Sequence, residues 1–466
     1  MPNLPSIQIN PDYFLQLGTL PLPILMWRLF IDGGWIPMLI VLIQGFWLLF
    51  LQSRQQKYGA TVEFVMLAVD IPRNNEQTVK AVEQIFAHLS GAYSGFDTFQ
   101  KLWHGKTNSA FSMELASIDG YVQYYVRTPR KLRDLVESAI YAQYPEAEIA
   151  ETADYTDKVP SHFPHPEWEA FGTEFVLKKD AAYPIKTYED FEHKGAEVMT
   201  FKDPISGILE TMSQLRVGEQ LWFQVIITPT DDAWQKKGQE VVDKIMGKVK
   251  VHHKSMIEEI VEFPLHVVTE MTSIGGAAHP PEKKPEQPKI MSLSPMEREA
   301  LERVQQKLSK IGFMTKIRVV YAAKRDVFNK SRMTSLKGAM SQFTSSHLNG
   351  FKGYGPVTPQ GDYFWQRWSE QEKKTKVVKA YKGRSGKGAS KFAMNIEELA
   401  TLYHFPMLTV KAPLVKKTEA KRAEPPSSLP TEDRYPTQER TPQPPPALSD
   451  EDADDADGVP KNLPFA

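Results

Sequence analysis

The segment from residue 373 to residue 391 has the residue types of a binding site for an anionic partner. Aromatic residues 363, 364, 365 and 368 stand directly before it. Basic side chains neutralise phosphates and aromatic rings stack on bases, so such a segment can hold single-stranded nucleic acid. The same composition is also typical of a solvated lysine-rich loop that follows aromatic core residues. The basic residues of this segment are Lys373, Lys374, Lys376, Lys379, Lys382, Arg384, Lys387 and Lys391, and the aromatic ones are Tyr363, Phe364, Trp365 and Trp368.

Within this basic segment, residues 383–390 partly resemble a phosphate-binding loop. Such a loop has Ser or Thr directly after its lysine and an earlier glycine that lets the backbone approach the phosphates. Here Gly388 follows Lys387, and Tyr381 stands where the earlier glycine is required. The sequence therefore predicts a basic loop and no nucleotide site.

Metal and catalytic motifs are equally weak. His162 and His165 lie among prolines that prevent a helix from placing both rings on one side, and no third ligand accompanies them. The chain has no cysteine, which removes thiolate ligands and cysteine nucleophiles. No G-x-S-x-G motif is present. We therefore expect no catalytic residue, no cofactor and no metal, and we expect the protein not to be an enzyme.

One segment is apolar enough to cross a membrane. Residues 35–51 contain no charge, and at about 1.5 Å per residue they reach the short end of the length that a bilayer requires. The sequence predicts a transmembrane helix there. The preceding apolar stretch contains Pro21, Pro23 and Arg28, which favours an interfacial segment over residues 1–34.

Flanking charges give an orientation. Arg54 and Lys57 follow the apolar run, so the positive-inside tendency places the bulk of the chain in the cytoplasm, with a single pass through the cell (inner) membrane. A cleaved signal peptide is the alternative. The chain opens without a basic region and shows no small-x-small site after the apolar run, which disfavours that alternative.

Residues 58–155 alternate strand, helix, strand, strand, helix and strand. Asp119-Gly120 is the favoured two-residue hairpin turn between two of these strands. Leu132, Val136 and Ile140 have the spacing of one apolar helix face. This order is the split βαβ pattern of a ferredoxin-like unit, so the fold class is α+β.

The rest of the chain divides by composition. Residues 165–272 predict a second α+β unit, residues 273–293 a flexible linker, and residues 294–411 a third portion that completes the second unit. This last portion opens with a capping box at Ser294. Residues 412–466 are rich in proline and acidic residues, which predicts a disordered tail.

Two further patterns bear on the fold. A strand over residues 313–323 alternates, so that Lys316 and Arg318 lie on the face opposite Ile317. The sequence Thr-Pro occurs at residues 128–129 and again at residues 228–229, each time between a predicted strand and a predicted helix, which suggests an internal duplication. The alternative is that strand-to-helix turns often use such residues.

Several fragments taken together resemble one family. It is an uncharacterised membrane-anchored region in candidate-phylum bacteria that precedes a hexameric translocase ATPase of the conjugative coupling-protein and HerA kind. The resemblance spans roughly residues 30–430, and none of its fragments is catalytic. They are residues 111–115, 124–129, 140–145, 147–149, 316–321, 348–352, 397–406 and 421–430.

This chain resembles that region without the ATPase domain. The resemblance implies a non-enzymatic, single-pass membrane scaffold or adaptor of a type IV secretion-like or conjugation-like machine, working in an oligomeric assembly with a separate motor ATPase. The alternative is a membrane-tethered nucleic-acid-binding protein that contacts DNA through the basic segment.

Overall fold

A computed structural model of the chain describes residues 21–72, 75, 77–191, 203–247, 293–360 and 366–407. The predicted acidic tail (residues 412–466), residues 273–292 of the predicted linker and residues 1–20 of the predicted interfacial segment lie outside the described residues.

Helices and strands alternate along the described chain. The helices are α1 (Leu22–Leu29), α2 (Trp35–Ala60), α3 (Val79–Leu89), α4 (Thr98–Leu102), α5 (Arg133–Tyr141), α6 (Ser206–Ser213), α7 (Ala233–Ile245), α8 (Pro295–Ser309), α9 (Ser331–Ser341), α10 (Gln366–Lys382) and α11 (Ile396–Leu402). The strands are β1 (Phe64–Asp70), β2 (Phe111–Ile118), β3 (Tyr121–Pro129), β4 (Glu148–Thr152), β5 (Trp168–Leu177), β6 (Glu219–Pro229), β7 (Gly312–Lys324), β8 (Phe351–Gly353) and β9 (Phe392–Asn395).

The apolar N-terminal region is helical and continuous from α1 through a π-helical turn at Phe30–Gly34 into α2. Pro21 and Pro23 do not interrupt this region; they begin α1, because proline is tolerated in the first turn, where its missing N–H has no partner to lose. The stretch Met38–Ala60 of α2 is not buried by the rest of the protein. It is long and apolar enough to span a membrane, which agrees with the span predicted from the sequence.

The strands form one antiparallel sheet in the order β4-β1-β3-β2-β6-β7-β5-β8, with β9 pairing to β7. The expected α+β class is therefore confirmed. The predicted hairpin turn is also present: Asp119 and Gly120 have φ of 55° and 88°, and Ile118 pairs with Tyr121. A Cβ at Gly120 would lie 2.8 Å from the carbonyl oxygen of Leu215, so the turn needs glycine there.

The two halves of the sheet have the same strand order. In the first half the order is β4-β1-β3-β2, and in the second the corresponding order is β8-β5-β7-β6. The second strand of each half lies at the junction, where β2 pairs with β6. The halves differ in their second connection, because a two-residue turn joins β2 to β3, whereas residues 230–311 separate β6 from β7.

This order shows that the two Thr-Pro pairs do not mark equivalent positions. Pro129 ends β3, the third strand of its half, whereas Pro229 ends β6, the second strand of its half. Their common feature is that both end a strand, where proline interrupts ladder pairing. The equivalence suggested by the sequence is therefore wrong.

Both faces of the sheet are covered. The first face packs against α3, α5, α6, α9 and α11 in a large apolar core that includes Ile140 and Val136. The opposite face packs against α10 and residues 155–163, with Trp222, Val320 and Tyr381 in its core. We call this second side the α10 face.

Candidate functional site: the basic segment and the charged row beneath it

The first part of the basic segment is the helix α10, which lies on β5 and β7. Its inward side carries Val377, Val378 and Tyr381, which are fully buried. Tyr381 packs on Trp222 with ring centroids 5.2 Å apart. A Cβ at Gly172 of β5 would lie 3.0 Å from Val377, so the absent side chain lets α10 approach the sheet closely.

Two lysines on α10 are paired with neighbouring carboxylates. Lys374 is buried, and its Nζ lies 3.0 Å from carboxylate oxygens of both Glu169 and Glu370. Lys376 pairs at 2.6 Å with Glu372, one helical turn before it, where both side chains are exposed. The cationic side of α10 is therefore partly neutralised by acidic residues of the same region.

Basic residues at the end of α10 and directly after it are bound inside the protein. Lys382 donates to the carbonyl oxygen of Val159. Arg384, with φ of 46°, is buried and donates to both oxygens of Glu114 at 2.9 and 3.0 Å. Its guanidinium also donates to Asp154. Arg384 is thus an interior ion-pair partner and presents no free charge to solvent.

Glu114 belongs to a line of polar residues that crosses four neighbouring strands on the α10 face. The strand register places Glu114 opposite Gln224, Gln224 opposite Arg318, and Arg318 opposite Glu174. These four residues are at most 1 % exposed. We call them the charged row.

Hydrogen bonds run along the charged row without interruption. Gln224 donates to Glu114 at 2.9 Å and accepts from Arg318 at 3.3 Å. Arg318 donates to Glu174 through Nε at 2.9 Å and Nη2 at 2.6 Å. Lys316, two residues before Arg318, adds a second cation 3.4 Å from Glu174.

Residues 383–390, which partly resemble a phosphate-binding loop in sequence, close over the charged row. Lys316 donates to the carbonyl oxygens of residues 386, 387 and 389 at 3.0, 2.7 and 2.7 Å. Arg318 donates to those of residues 380, 385 and 387. A phosphate-binding loop presents N–H groups to its ligand, whereas this loop presents carbonyl oxygens to buried cations. The loop therefore binds cations of its own chain.

One N–H of the same loop is also occupied. The backbone N–H of Ala389 donates to Glu174 at 2.6 Å. Gly388 has φ of +108°, and a Cβ there would lie 2.4 Å from a Glu174 carboxylate oxygen. Only glycine lets the backbone come this close to Glu174.

Three carboxylates face three cations in the ion pairs around the charged row. Burial alone would raise the pKa of Asp154, but the hydrogen bonds and charge of Arg384 lower it overall. Burial also lowers the pKa of Arg384, yet the charge and hydrogen bonds of Glu114 reverse this and raise it. The members are Glu114, Asp154 and Glu174 on one side and Lys316, Arg318 and Arg384 on the other.

Two buried tyrosines extend this network. The hydroxyl of Tyr155 lies 2.7 Å from Glu114 and 2.9 Å from the hydroxyl of Tyr381. Burial holds the pKa of both tyrosines well above its ordinary value, so they act as neutral hydrogen-bonding groups. The network is therefore suited to fixing α10 on the sheet.

The remaining predicted binding residues are divided between surface and interior. Lys379 and Lys387 are exposed, and Lys373 is half-buried. Lys391 donates to the hydroxyl of Thr228 at 2.9 Å, and burial lowers the pKa of its amine. The structure thus separates eight residues that are neighbours in sequence into exposed lysines and interior partners.

The aromatic part of the sequence prediction is not covered by the described residues. Tyr363, Phe364 and Trp365 lie outside the described residues, and the side chain of Trp368 is not described either. Of the two histidines considered as metal ligands, His165 accepts backbone N–H groups of Glu167 and Trp168 through Nδ1. This contact stabilises the turn into β5.

Sequence reasoning did not find Glu114, Glu174 or Gln224 as site residues. The available signal was a charge in the middle of an apolar strand, as in Phe-Ser-Met-Glu-Leu around Glu114. It also did not find the buried pair of Asp203 and His404, whose Oδ1 and Nε2 lie 2.8 Å apart. Asp203 accepts from the N–H of Ile205 as well, so the pair joins the start of α6 to the end of α11.

Fold and site together define an α+β protein with one antiparallel sheet and an apolar N-terminal helix. The chain belongs to the family described as a domain of unknown function (DUF8128), whose model matches residues 61–418, more than half of the chain. The match begins directly after α2 and covers every strand of the sheet. A comparison with curated proteins finds no match.

Proposed function

We propose that this chain is a non-enzymatic, membrane-anchored scaffold that presents its sheet domain to a protein partner. The observation that carries the proposal is that charged side chains in the interior of the protein are paired with each other or with its backbone. Glu114, Glu174, Arg318 and Arg384 are buried and paired with each other or with backbone groups, so these four charged side chains fix structure.

The apolar helix supports the membrane part of the proposal. Met38–Ala60 is unburied and apolar, and Arg54 and Lys57 follow its apolar stretch. A buried core helix would be covered by neighbours, and α2 is not. We propose a single pass through the inner membrane, with the sheet domain in the cytoplasm.

The fold supports a finer proposal about architecture. We propose that each half of the sheet is a ferredoxin-like unit and that the two arose by duplication. The support is the repeated order, 4-1-3-2 in each half, with every pair antiparallel. In both halves a helix connects the first strand to the second and another connects the third to the fourth.

The sequence resemblance supports the identity of the partner. We propose that the scaffold works in an oligomeric assembly with a separate translocase ATPase of a type IV secretion-like or conjugation-like machine. Direct DNA binding by the basic segment is less well supported, because Lys374, Arg384 and Lys391 are used inside the protein. DNA binding is therefore kept as an outcome of the test.

Membrane topology is tested with single cysteines, because the chain has none of its own. In intact cells a membrane-impermeant maleimide should leave Lys236→Cys of α7 unlabelled and should label it after lysis. Ser6→Cys should be labelled in intact cells. Labelling of Lys236→Cys in intact cells, or recovery of the chain in the alkaline carbonate wash, would overturn the anchored topology.

Partner choice is tested by cross-linking in native membranes followed by mass spectrometry. Cross-links from residues 61–418 to a translocase ATPase support the scaffold. Cross-links to DNA alone, with affinity that falls steeply as salt rises, would replace it with the nucleic-acid-binding function. ATP hydrolysis by the purified full chain, abolished by Lys316→Met, would refute the non-enzymatic assignment.

A further inference from the structure

An exposed aromatic cluster lies beside the end of the apolar helix. Phe99 is 62 % exposed and Trp103 is 52 % exposed, although large aromatic side chains are normally covered in a soluble domain. Tyr93, a few residues earlier, is exposed as well. All three belong to residues 93–106, the connection that contains α4, and we call this segment the aromatic collar.

The aromatic collar contacts α2 at the end of its apolar run. The ring of Trp103 lies 5.9 Å from that of Phe50, and Phe99 stacks on Trp103 at 6.4 Å. The guanidinium of Arg54 lies 5.1 Å from the Phe50 ring and 5.6 Å from the Trp103 ring. The collar is therefore at the level where α2 changes from apolar to charged residues.

Backbone geometry holds the collar in this position. Gly105 has φ of +64°, and a Cβ there would lie 2.4 Å from the backbone carbonyl carbon of Arg54. Asp97 caps α4 by accepting the N–H of Gln100 at 2.7 Å. The close approach at Gly105 needs a residue without a side chain, so the contact with α2 is built into the loop.

The chemistry of the collar matches the interfacial layer of a bilayer. Aromatic rings are enriched where hydrocarbon meets headgroups, and cationic side chains bind lipid phosphates there. Lys101 and His104 are exposed beside Trp103 and Phe99. The outward side of the collar thus combines apolar rings with basic groups, next to a helix that itself enters the membrane.

We propose that the aromatic collar docks on the lipid headgroup layer beside α2 and so fixes the sheet domain against the membrane. This inference rests on the proposed membrane anchor, because the collar lies at headgroup level only if α2 spans the bilayer. The occupant is the lipid bilayer, since the exposed rings of Phe99 and Trp103 adjoin Phe50 at the end of the exposed apolar surface of α2.

Single nitroxide labels in the full chain test this proposal. Leu42→Cys, Phe99→Cys and Tyr121→Cys are each labelled and reconstituted in vesicles of zwitterionic and anionic phospholipid, and collision rates with oxygen and with a water-soluble nickel chelate are measured. Tyr121 is the matched control, because it is an exposed aromatic residue at the hairpin turn. This turn lies at the opposite end of β3 from Pro129, which pairs with Phe64, the first residue of the strand that follows α2. Thermal unfolding verifies that each labelled protein is folded.

The expected result is an ordered series. The ratio of oxygen to nickel collisions should be highest at 42, several-fold above the control at 99, and lowest at 121. If 99 equals 121 while 42 lies in lipid, docking is wrong and the anchor stands. If 42 is as accessible to nickel as 121, the anchor itself is wrong. Protection of 99 from both reagents would indicate a protein contact and would also overturn lipid docking.

Discussion

Both faces of the sheet are covered, but the centre of each face is buried by different chemistry. On the first face, residues such as Leu67, Val126 and Phe223 meet apolar helix surfaces. On the α10 face, the charged row lies between apolar residues such as Trp222 and Val320. Apolar burial is non-directional and supplies much of the stability of a fold, whereas buried ion pairs contribute little net stability and are strict about geometry.

The difference indicates separate tasks for the two faces. A one-residue slip of β2, β7 or β5 would move Glu114, Arg318 or Glu174, respectively, to the opposite face and leave a buried charge without a partner. We infer that the first face supplies most of the folding free energy and that the charged row specifies strand register and the position of α10. Unfolding of the detergent-solubilised full chain measures the contribution of each face.

The largest effect is expected on the first face. Ile140→Asp should lower the free energy of unfolding by about 5 kcal/mol, because it places an unpaired carboxylate in an apolar core. Ile140 is 1 % exposed. The control Ile140→Val should cost about 1 kcal/mol. An aspartate variant with the wild-type melting temperature would show that this face is not the stabilising core.

A similar loss is expected when the charged row is interrupted. Glu174→Ala leaves Arg318 and Lys316 without their carboxylate and should cost about 4 kcal/mol. Glu174→Gln retains an acceptor oxygen and the side-chain volume, so its cost should be about half as large. Equal costs for the two variants would show that charge at this position is unimportant and that only packing matters.

The loop over the charged row offers a comparison between two glycines. Gly388→Ala should cost about 3 kcal/mol, because its φ of +108° and its contact with Glu174 both exclude a side chain. Gly386→Ala has open space around its Cβ and should cost less than about 1 kcal/mol. The prediction fails if both alanines are tolerated equally.

The smallest effect is the pH dependence of the stability that Asp154 contributes on the α10 face. The pKa of Asp154 is lowered in the folded protein, so its ionised form contributes stability above the ordinary value of 3.8. That contribution is lost as the pH falls through the lowered pKa. Asp154→Asn should cost about 1.5 kcal/mol at pH 7, and the difference from wild type should shrink below about pH 4.

The matched control for pH lies on the first face. Ile140→Val changes no titratable group, so its cost should be the same at pH 7 and pH 4. If the Asp154→Asn difference is also constant across this range, the carboxylate of Asp154 is not coupled to folding through its charge.

Local chemistry explains which parts of the fold could be predicted from sequence. The turn at Asp119 and Gly120 and the capping box of Ser294 and Glu297 depend on adjacent residues, and both are present in the structure. The alternation of Arg318 with Ile317 was also readable, because a strand has a period of two. The alternation does not show that the sheet face bearing Arg318 is also covered by other parts of the protein.

The charged row was beyond sequence reasoning because its partners are far apart in the chain. Glu114 and Arg384 are separated by 270 residues, and Glu174 and Arg318 by 144. Contact between these residues depends on the strand register and on where α10 packs on the sheet. The composition of the basic segment is typical of a solvated surface, because the lysines of α10 outnumber the few apolar residues that pack it against the sheet.

The position of β7 between β6 and β5 has a consequence for synthesis of the protein on the ribosome. The first four strands are complete once residue 152 has emerged, but β5 has only β7 and β8 as neighbours, and both follow residue 311. At a synthesis rate of about 5–20 residues per second, β5 therefore lacks a partner strand for on the order of 10 s. During that interval the second half exposes strand edges, so nascent-chain chaperones should engage residues 168–229 and release them when β7 is made.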